Sequence, residues 1–394
     1  MRRGLSIALG VILAIAVVVT VVVSRGSGGS GSSKPAQEVR GVIGSEKQPF
    51  FDDPAVQKRF EQLGYHVDVD TAGSRAIATQ TDLSKYDFAF PAGTPQAQKI
   101  KNDHKVARLY VPFSTPMAIA TFDDVAKVLV RAGVATDHHG WYSFDVAKYL
   151  ALVAQHARWK DLAGNTAYPV EKQMLITSTD VTTSNSAAMY ASIAGYVLNG
   201  DNVVTGGARL DRIADPVAQL FICQGFQDTS SEGPFEDYVS SIGKGKTPMV
   251  MIYESQFLAR AASHDGSITP DRVLMYPDPE IVSKHTFVPL TANGDAVGQL
   301  LTTDPQLQAL ATQYGFRTQQ PRAFSDFLTR EKLTVAPQLL DVIEPPSYED
   351  LEALITAIAQ RETGNVPCST ATTATTPTTP TTPTTPTTAA KGAP

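Results

Sequence analysis

Three short apolar runs open the folded body, and each ends in a loop of small, hydroxyl-bearing or glycine residues. Val39 to Ile43 leads into Gly44-Ser45-Glu46-Lys47, Tyr65 to Val69 into Asp70-Thr71-Ala72-Gly73-Ser74-Arg75, and Tyr86 to Phe90 into Pro91-Ala92-Gly93-Thr94. Amphipathic helical patterns alternate with such runs from about 39 to 362, and this alternation specifies an α/β fold. In an open parallel sheet, ligands bind beyond the carboxyl ends of the strands, where helix N-termini offer free N–H groups. The three loops are therefore the first place to look for a site.

The chain has 394 residues, enough for two folded domains once non-globular ends are set aside. Hydrophobic residues at 42% suffice for a sizeable core. A net charge of −6 without any long Lys/Arg cluster argues against nucleic acid as a partner. Two cysteines, Cys223 and Cys368, exclude a disulfide scaffold and a Cys-based metal site. Because Cys368 borders a Thr/Pro-rich tail, the sequence argues against a native Cys223–Cys368 bridge.

At the N-terminus, Leu5 to Val23 is apolar except for Ser6, Gly10 and Thr20. As a helix it would be ~28 Å long, close to the hydrocarbon thickness of a bilayer. Arg2 and Arg3 precede it, which leaves the body outside the cytoplasm. No Ala-x-Ala site follows, so an uncleaved anchor over 1–24 is preferred to a cleaved signal peptide. Residues 25–38 read as a Gly/Ser-rich linker. The Thr-Thr-Pro repeats of 363–394 read as a disordered tail, either a plain spacer or a substrate for O-glycosylation.

Farther along the body, Val106 to Thr121 is extended but holds Pro112 and Pro116, which fits an edge or an interdomain crossing. Gln173 to Thr177 predicts a strand feeding Thr182-Thr183-Ser184-Asn185-Ser186, with a helix from Ala187 to Leu198. A helix cap needs only one of these polar residues, so cap and ligand contact both stay open for the rest. Strands are expected at Pro248 to Tyr253, Arg272 to Tyr276 and Thr286 to Leu290, and Asp53-Pro54 and Asp304-Pro305 open helices closed by Gly64 and Gly315. Ser241 and Lys244 have the Ser-x-x-Lys spacing of penicillin-binding enzymes, but Lys246-Thr247 runs into Pro248 instead of completing Lys-Thr-Gly. The seven histidines form no metal-binding pattern; His138-His139 is their only cluster.

With these residues laid out, the chain resembles the extracellular solute-binding proteins of ABC importers. The similarity is to the type II periplasmic-binding-protein fold, in the group that includes molybdate- and sulfate-binding proteins. It is carried by His285-Thr-Phe-Val-Pro-Leu290, by the helix from Leu300 ending in Tyr314-Gly-Phe316, by Thr183-Ser-Asn-Ser-Ala-Ala-Met-Tyr190, and by the first strand with Gly44 and Ser45. The resemblance implies lobe one over 39–113 and 286–340, lobe two over 114–285, and a ligand held between them. A C-terminal helix over 341–362 follows. It also implies a non-catalytic protein without cofactor or metal, whose partners are a small polar solute and an ABC permease. The membrane would be reached through the N-terminal helix. The lipidated cysteine usual in Gram-positive relatives is absent.

Ser45, Thr71, Ser74, Thr94, Ser184, Asn185 and Tyr253 are expected to converge on one cleft, with Ser186 beside them. Neutral donors among them could cradle an oxyanion. Arg75 could instead pair with a carboxylate, whereas Glu46 and Glu254, if they face the cleft, favour an amine-bearing ligand. Two other readings stand beside solute binding: a cell-envelope interaction module on the same scaffold, and a hydrolase using Ser241 and Lys244.

Overall fold

Alternation within the first apolar run sets the lobe-one architecture. In the computed structural model this run is strand β1 (Gln37–Ile43), which sends Val39 and Ile43 to one face and Val42 to the other. One face carries a phenylalanine-rich core of Phe50, Phe51, Phe60, Phe88, Phe90, Phe113 and Phe287; the other carries Ile77, Ala97 and Ile100. Helices must then cover both faces, which requires parallel strands joined by crossovers. Accordingly β1 pairs in parallel with β2 (Tyr65–Thr71) and with β3 (Phe88–Phe90).

The structure describes residues 36–339, 341–362, 364 and 368. The expected anchor over 1–24, most of the 25–38 linker and nearly all of the 363–394 tail lie outside these residues. Among the described residues, no helix is long and apolar enough to cross a membrane.

The remaining strands are β4 (Tyr110–Phe122), β5 (Ala135–Asp137), β6 (Tyr142–Asp145), β7 (Met249–Tyr253), β8 (Arg272–Asp278), β9 (Glu280–Pro289), β10 (Arg317–Thr318) and β11 (Val342–Ile343). Their order is β2-β1-β3-β9-β4-β8-β6-β5, with β7 and β10 pairing to β4 and β11 to β9. Two long antiparallel strands cross between the halves. The first part of β4, up to Pro116, pairs with β9, and Met117 to Thr121 pairs with β7. The far end of β9 joins β3. Pro112 falls where the β4–β9 register shifts, so its missing N–H leaves no gap in the ladder. β4 is hydrogen-bonded on both sides, to β9 and β10 in its first part and to β7 and β8 in its second, so the edge position that the two prolines suggested is not the one it takes.

The second lobe has its own core, built from β4–β8 and the helices Asn185–Leu198 and Ala208–Ile222. Phe324 and Phe327 of the helix Pro321–Glu331 join this core, as do Leu351, Leu354, Ile355 and Ile358 of the C-terminal helix Tyr348–Glu362. Both Asp-Pro helix starts form as expected. Asp53 accepts from the Ala55 amide and Asp304 from those of Gln306 and Leu307, while Gly64 and Gly315 turn the chain at positive φ.

Three expectations are corrected. The C-terminal helix begins at Tyr348 instead of 341, and Val342–Ile343 ahead of it pairs with β9 as β11. The run Gln173 to Thr177 forms no strand; Gln173 and Thr177 make only isolated bridges, to Arg158 and Val250. A short apolar run records burial, and burial alone does not choose a strand. Cys223 and Cys368, in turn, are joined by a disulfide. The helices Ala208–Ile222 and Tyr348–Glu362 pack side by side in the same direction. The Gly206 amide donates to Asp350 near their starts, and Arg361 pairs with Asp215 farther along. Both C-terminal ends therefore emerge together, and Cys223 and Cys368, just past those ends, sit 5.2 Å apart between Cα atoms.

Candidate functional site

Parallel pairing puts the ends of β1, β2 and β3 on one edge of lobe one, and three loops gather there. Gly44 leads into a turn at Ser45–Lys47, Gly73 into the helix Ser74–Thr79, and Gly93 into the helix Thr94–Asp103. Lobe two faces them with the Thr183-Ser184 approach to the helix Asn185–Leu198, with Thr229-Ser230-Ser231 before the helix Glu232–Val239, and with Tyr253 at the end of β7. Between the two sets lies a cavity of about 350 Å³. Ser45, Thr71, Ser74, Ser184, Asn185 and Tyr253 all line it, although they are spread over more than half the chain.

The lobes touch around this cavity. A Cβ on Gly73 would lie 2.4 Å from the Thr183 carbonyl oxygen, so only glycine permits that approach. A Cβ on Gly93 would lie 2.5 Å from Asn185 Oδ1. Asn185 donates through Nδ2 to Tyr253 Oη at 3.0 Å, while its Oδ1 is buried without a partner.

Donors dominate the lining. Ser184 stands at the N-cap of its helix but makes no side-chain cap bond; its Oγ lies 3.0 Å from Ser186 Oγ. The amides of that helix's first turn have no intrahelical acceptor, and their partial positive charge faces the cavity side. Among the described residues, the hydroxyls of Ser45, Thr71, Thr229 and Ser231 have no protein partner. Ser74 Oγ, in contrast, is occupied by the Ala92 amide at 2.9 Å. The Thr229–Ser231 triplet was not singled out from sequence. It carries the same signal as Thr182–Ser186, hydroxyl residues in excess just before a helix.

Four expected residues lie elsewhere. Thr94 Oγ1 is 3.2 Å from Thr286 Oγ1, away from the cavity. Ser186 is buried between Thr179 and Ser184. Arg75 does not await a ligand carboxylate: Nε and Nη2 bind Glu352 at 2.8–3.0 Å, and Nη1 donates to the Thr182 carbonyl at 3.2 Å. Glu254 is fully buried, gripped by Arg317 at 2.7 and 2.8 Å and by Tyr276 Oη at 2.6 Å. A carboxylate so enclosed serves as an internal ion pair. Lys244 is likewise committed, to Asp124, while Ser241 sits on an exposed turn.

Glu46 does face the cavity, backed by two groups that sequence reasoning missed. Lys47 and His285 are both fully buried. Lys47 Nζ binds Glu46 Oε1, lies 3.2 Å from His285 Nδ1 and sits 4.8 Å above the Phe90 ring. Burial alone would raise the Glu46 pKa, but the Lys47 charge and the His285 contact outweigh it and hold the carboxyl at about 2. Burial also depresses Lys47, against the pull of Glu46. His285 is pushed down to about 4 by burial and then by the Lys47 charge, against the pull of its contact with Glu46, so the imidazole is neutral at neutral pH. Its Nε2 is buried without a partner. Glu46 Oε2 is left unpartnered among the described residues and is available to the cavity.

No protein-family model matches the sequence, and no curated protein matches it. Solved structures do match. A periplasmic thiamin-binding protein gives a TM-score of 0.51 at 10% identity, covering 85% of this chain and 98% of its own. Apo ferric ion-binding protein A from Pasteurella haemolytica gives 0.50 at 12% identity, with 82% and 98% covered. Iron-bound HitA from Pseudomonas aeruginosa gives 0.50 at 11% identity, with 84% and 100% covered. The fold is that of the type II periplasmic solute-binding proteins.

Proposed function

We propose that this protein is a membrane-tethered extracytoplasmic solute-binding protein, which captures a small polar solute between its two lobes for ABC import or sensing. The observation that carries the reading is the cavity itself. Both lobes contribute to it, through unpartnered hydroxyls and a helix start, and the two strands β4 and β9 that join the lobes form a natural hinge. The matched binding proteins support this reading through their shared fold, and their own ligands differ too much to name one here. Tethering rests on the apolar run Leu5 to Val23 with Arg2 and Arg3 before it. The Cys223–Cys368 disulfide supports an oxidising, extracytoplasmic setting.

The test is a thermal-shift screen of the full-length protein against oxyanions, amino acids, sugars and polyamines. A solute at 100 times its dissociation constant should stabilise the fold by about 2.7 kcal/mol. A screen in which no small polar solute raises the melting temperature would overturn the reading.

A further inference from the structure

Deepening the solute-binding reading, on which it rests, a narrower statement follows from the charges around the cavity. Among the described residues, Glu46 is the one formally charged residue lining it; the others are Gly, Ala, Ser, Thr, Asn and Tyr. Its charge is balanced from behind by Lys47, which is buried and does not line the cavity. Arg75, the nearest guanidinium in sequence to these loops, is spent on Glu352 and on the Thr182 carbonyl. Among the described residues, the cavity therefore presents no cationic side chain to a ligand.

The two oxygens of Glu46 are used unequally. Oε1 takes the Lys47 ammonium and lies 3.3 Å from His285 Nδ1, contacts that fix the carboxylate in its ionised form. Oε2 has no partner among the described residues, on a side chain only 6% exposed. An ionised oxygen so enclosed and left unpaired calls for a donor from whatever fills the cavity. Hydroxyls of Ser45, Thr71, Thr229 and Ser231, together with the first-turn amides of Asn185–Leu198, supply donors to the ligand's electron-rich end.

We propose that the cleft selects a small solute without net negative charge, zwitterionic or neutral, that presents an N–H or O–H donor to Glu46 Oε2 and an electron-rich group to the hydroxyls and the helix start opposite. Glu46 is thereby the specificity-determining residue. A fully deprotonated tetrahedral oxyanion has no donor to offer and meets a like charge, so it is the wrong ligand for this site. That narrows the oxyanion expectation carried by the Ser/Thr-rich loops.

The experiment uses titration calorimetry on the full-length protein with three named probe sets: the proteinogenic amino acids, neutral sugars, and sulfate with molybdate. The expected result is binding by a member of the first or second set, with sulfate and molybdate failing to compete. Glu46→Gln should then weaken that binding at least about tenfold, the usual worth of a charge-assisted hydrogen bond. Removing one partner of a buried ion pair can also unfold the protein. The double variant Glu46→Gln, Lys47→Met removes both charges together; it should keep a near wild-type melting temperature and still bind weakly. Sulfate or molybdate binding as tightly as any donor-bearing probe would overturn the selectivity while leaving solute binding intact. So would wild-type affinity in the folded double variant. Failure of all three sets to bind would overturn the selectivity as well, and only failure of the wider screen, polyamines included, would remove the solute-binding reading beneath it.

Discussion

Replacing Glu352 by Gln should open the cleft. Arg75 stands on a lobe-one helix, whereas Glu352 stands on the C-terminal helix whose apolar face joins the lobe-two core. The pair thus exists only while the lobes are together. It comprises three N–H to oxygen contacts of 2.8–3.0 Å, and the side chains are 27% and 21% exposed. A fully exposed pair is worth less than about 1 kcal/mol and a charge-assisted hydrogen bond about 1.5–3 kcal/mol. Discounted for that partial exposure, this bidentate pair contributes about 1–2 kcal/mol to the closed state. Glu352→Gln keeps the shape and loses the charge, so the ratio of closed to open molecules should fall about 5- to 30-fold. Ligand affinity should fall by up to the same factor, because only the closed form is complete. Small-angle scattering without ligand should report a larger radius of gyration, and calorimetry with the ligand found by screening should report the affinity loss. High salt should shrink the difference between wild type and variant. If the variant lowers the melting temperature but changes neither radius nor affinity, the pair is an ordinary surface bridge and the latch is refuted.

Four further outcomes are expected. Gly73→Ala should weaken ligand binding with little change in melting temperature: Gly73 has φ −62° and ψ 143°, which alanine adopts freely, so the penalty falls on the approach to Thr183 in the closed form. Ser184→Ala should cost binding about 0.5–1.5 kcal/mol by calorimetry if its hydroxyl donates to ligand, and stability less, since its side chain makes no cap bond. The His285 pKa is depressed from 6.5 to about 4, so its contribution to stability is present above pH 6.5 and is lost as pH falls to about 4. The loss is at most about 1.4 kcal/mol per pH unit, and pH-dependent denaturation of His285→Gln should show a flatter slope in that window. Glu280 behaves oppositely. Burial, and then the Glu254 charge, push it well above the carboxylate range, and both its oxygens are unpartnered. Its stability contribution is present below pH 4.5 and is lost as pH rises toward the folded value, so Glu280→Gln should melt above wild type at alkaline pH and match it in acid.

What the sequence exposed and what it hid divide along the range of the interactions. Loop chemistry after β1 and β2, the two Asp-Pro helix starts and the prolines of β4 are local signals; the two helix starts form as read, whereas β4 is paired on both sides in spite of its prolines. Six of the ten candidate site residues line one cavity: Ser45, Thr71 and Ser74 because parallel strands put their ends on a common edge, and Ser184, Asn185 and Tyr253 because the second lobe faces that edge. The residues that went elsewhere did so for reasons far away in the chain. Arg75 is claimed from position 352 and Glu254 from position 317, and no spacing pattern announces either pairing. The disulfide was argued against because Cys368 borders a Thr/Pro-rich tail, yet the deciding fact was the shared direction of two helices more than a hundred residues apart. Lys47 is the sharpest case. A lysine in a polar loop reads as solvated, because a buried ammonium without a partner is too costly to assume. Here the partners exist: Glu46 is next door, while His285 arrives on β9 and Phe90 on β3. The strands that enclose the lysine are the ones that build the cleft. Its neutralising charge is therefore what allows an ionised carboxylate to stand at the ligand's door without destabilising the fold.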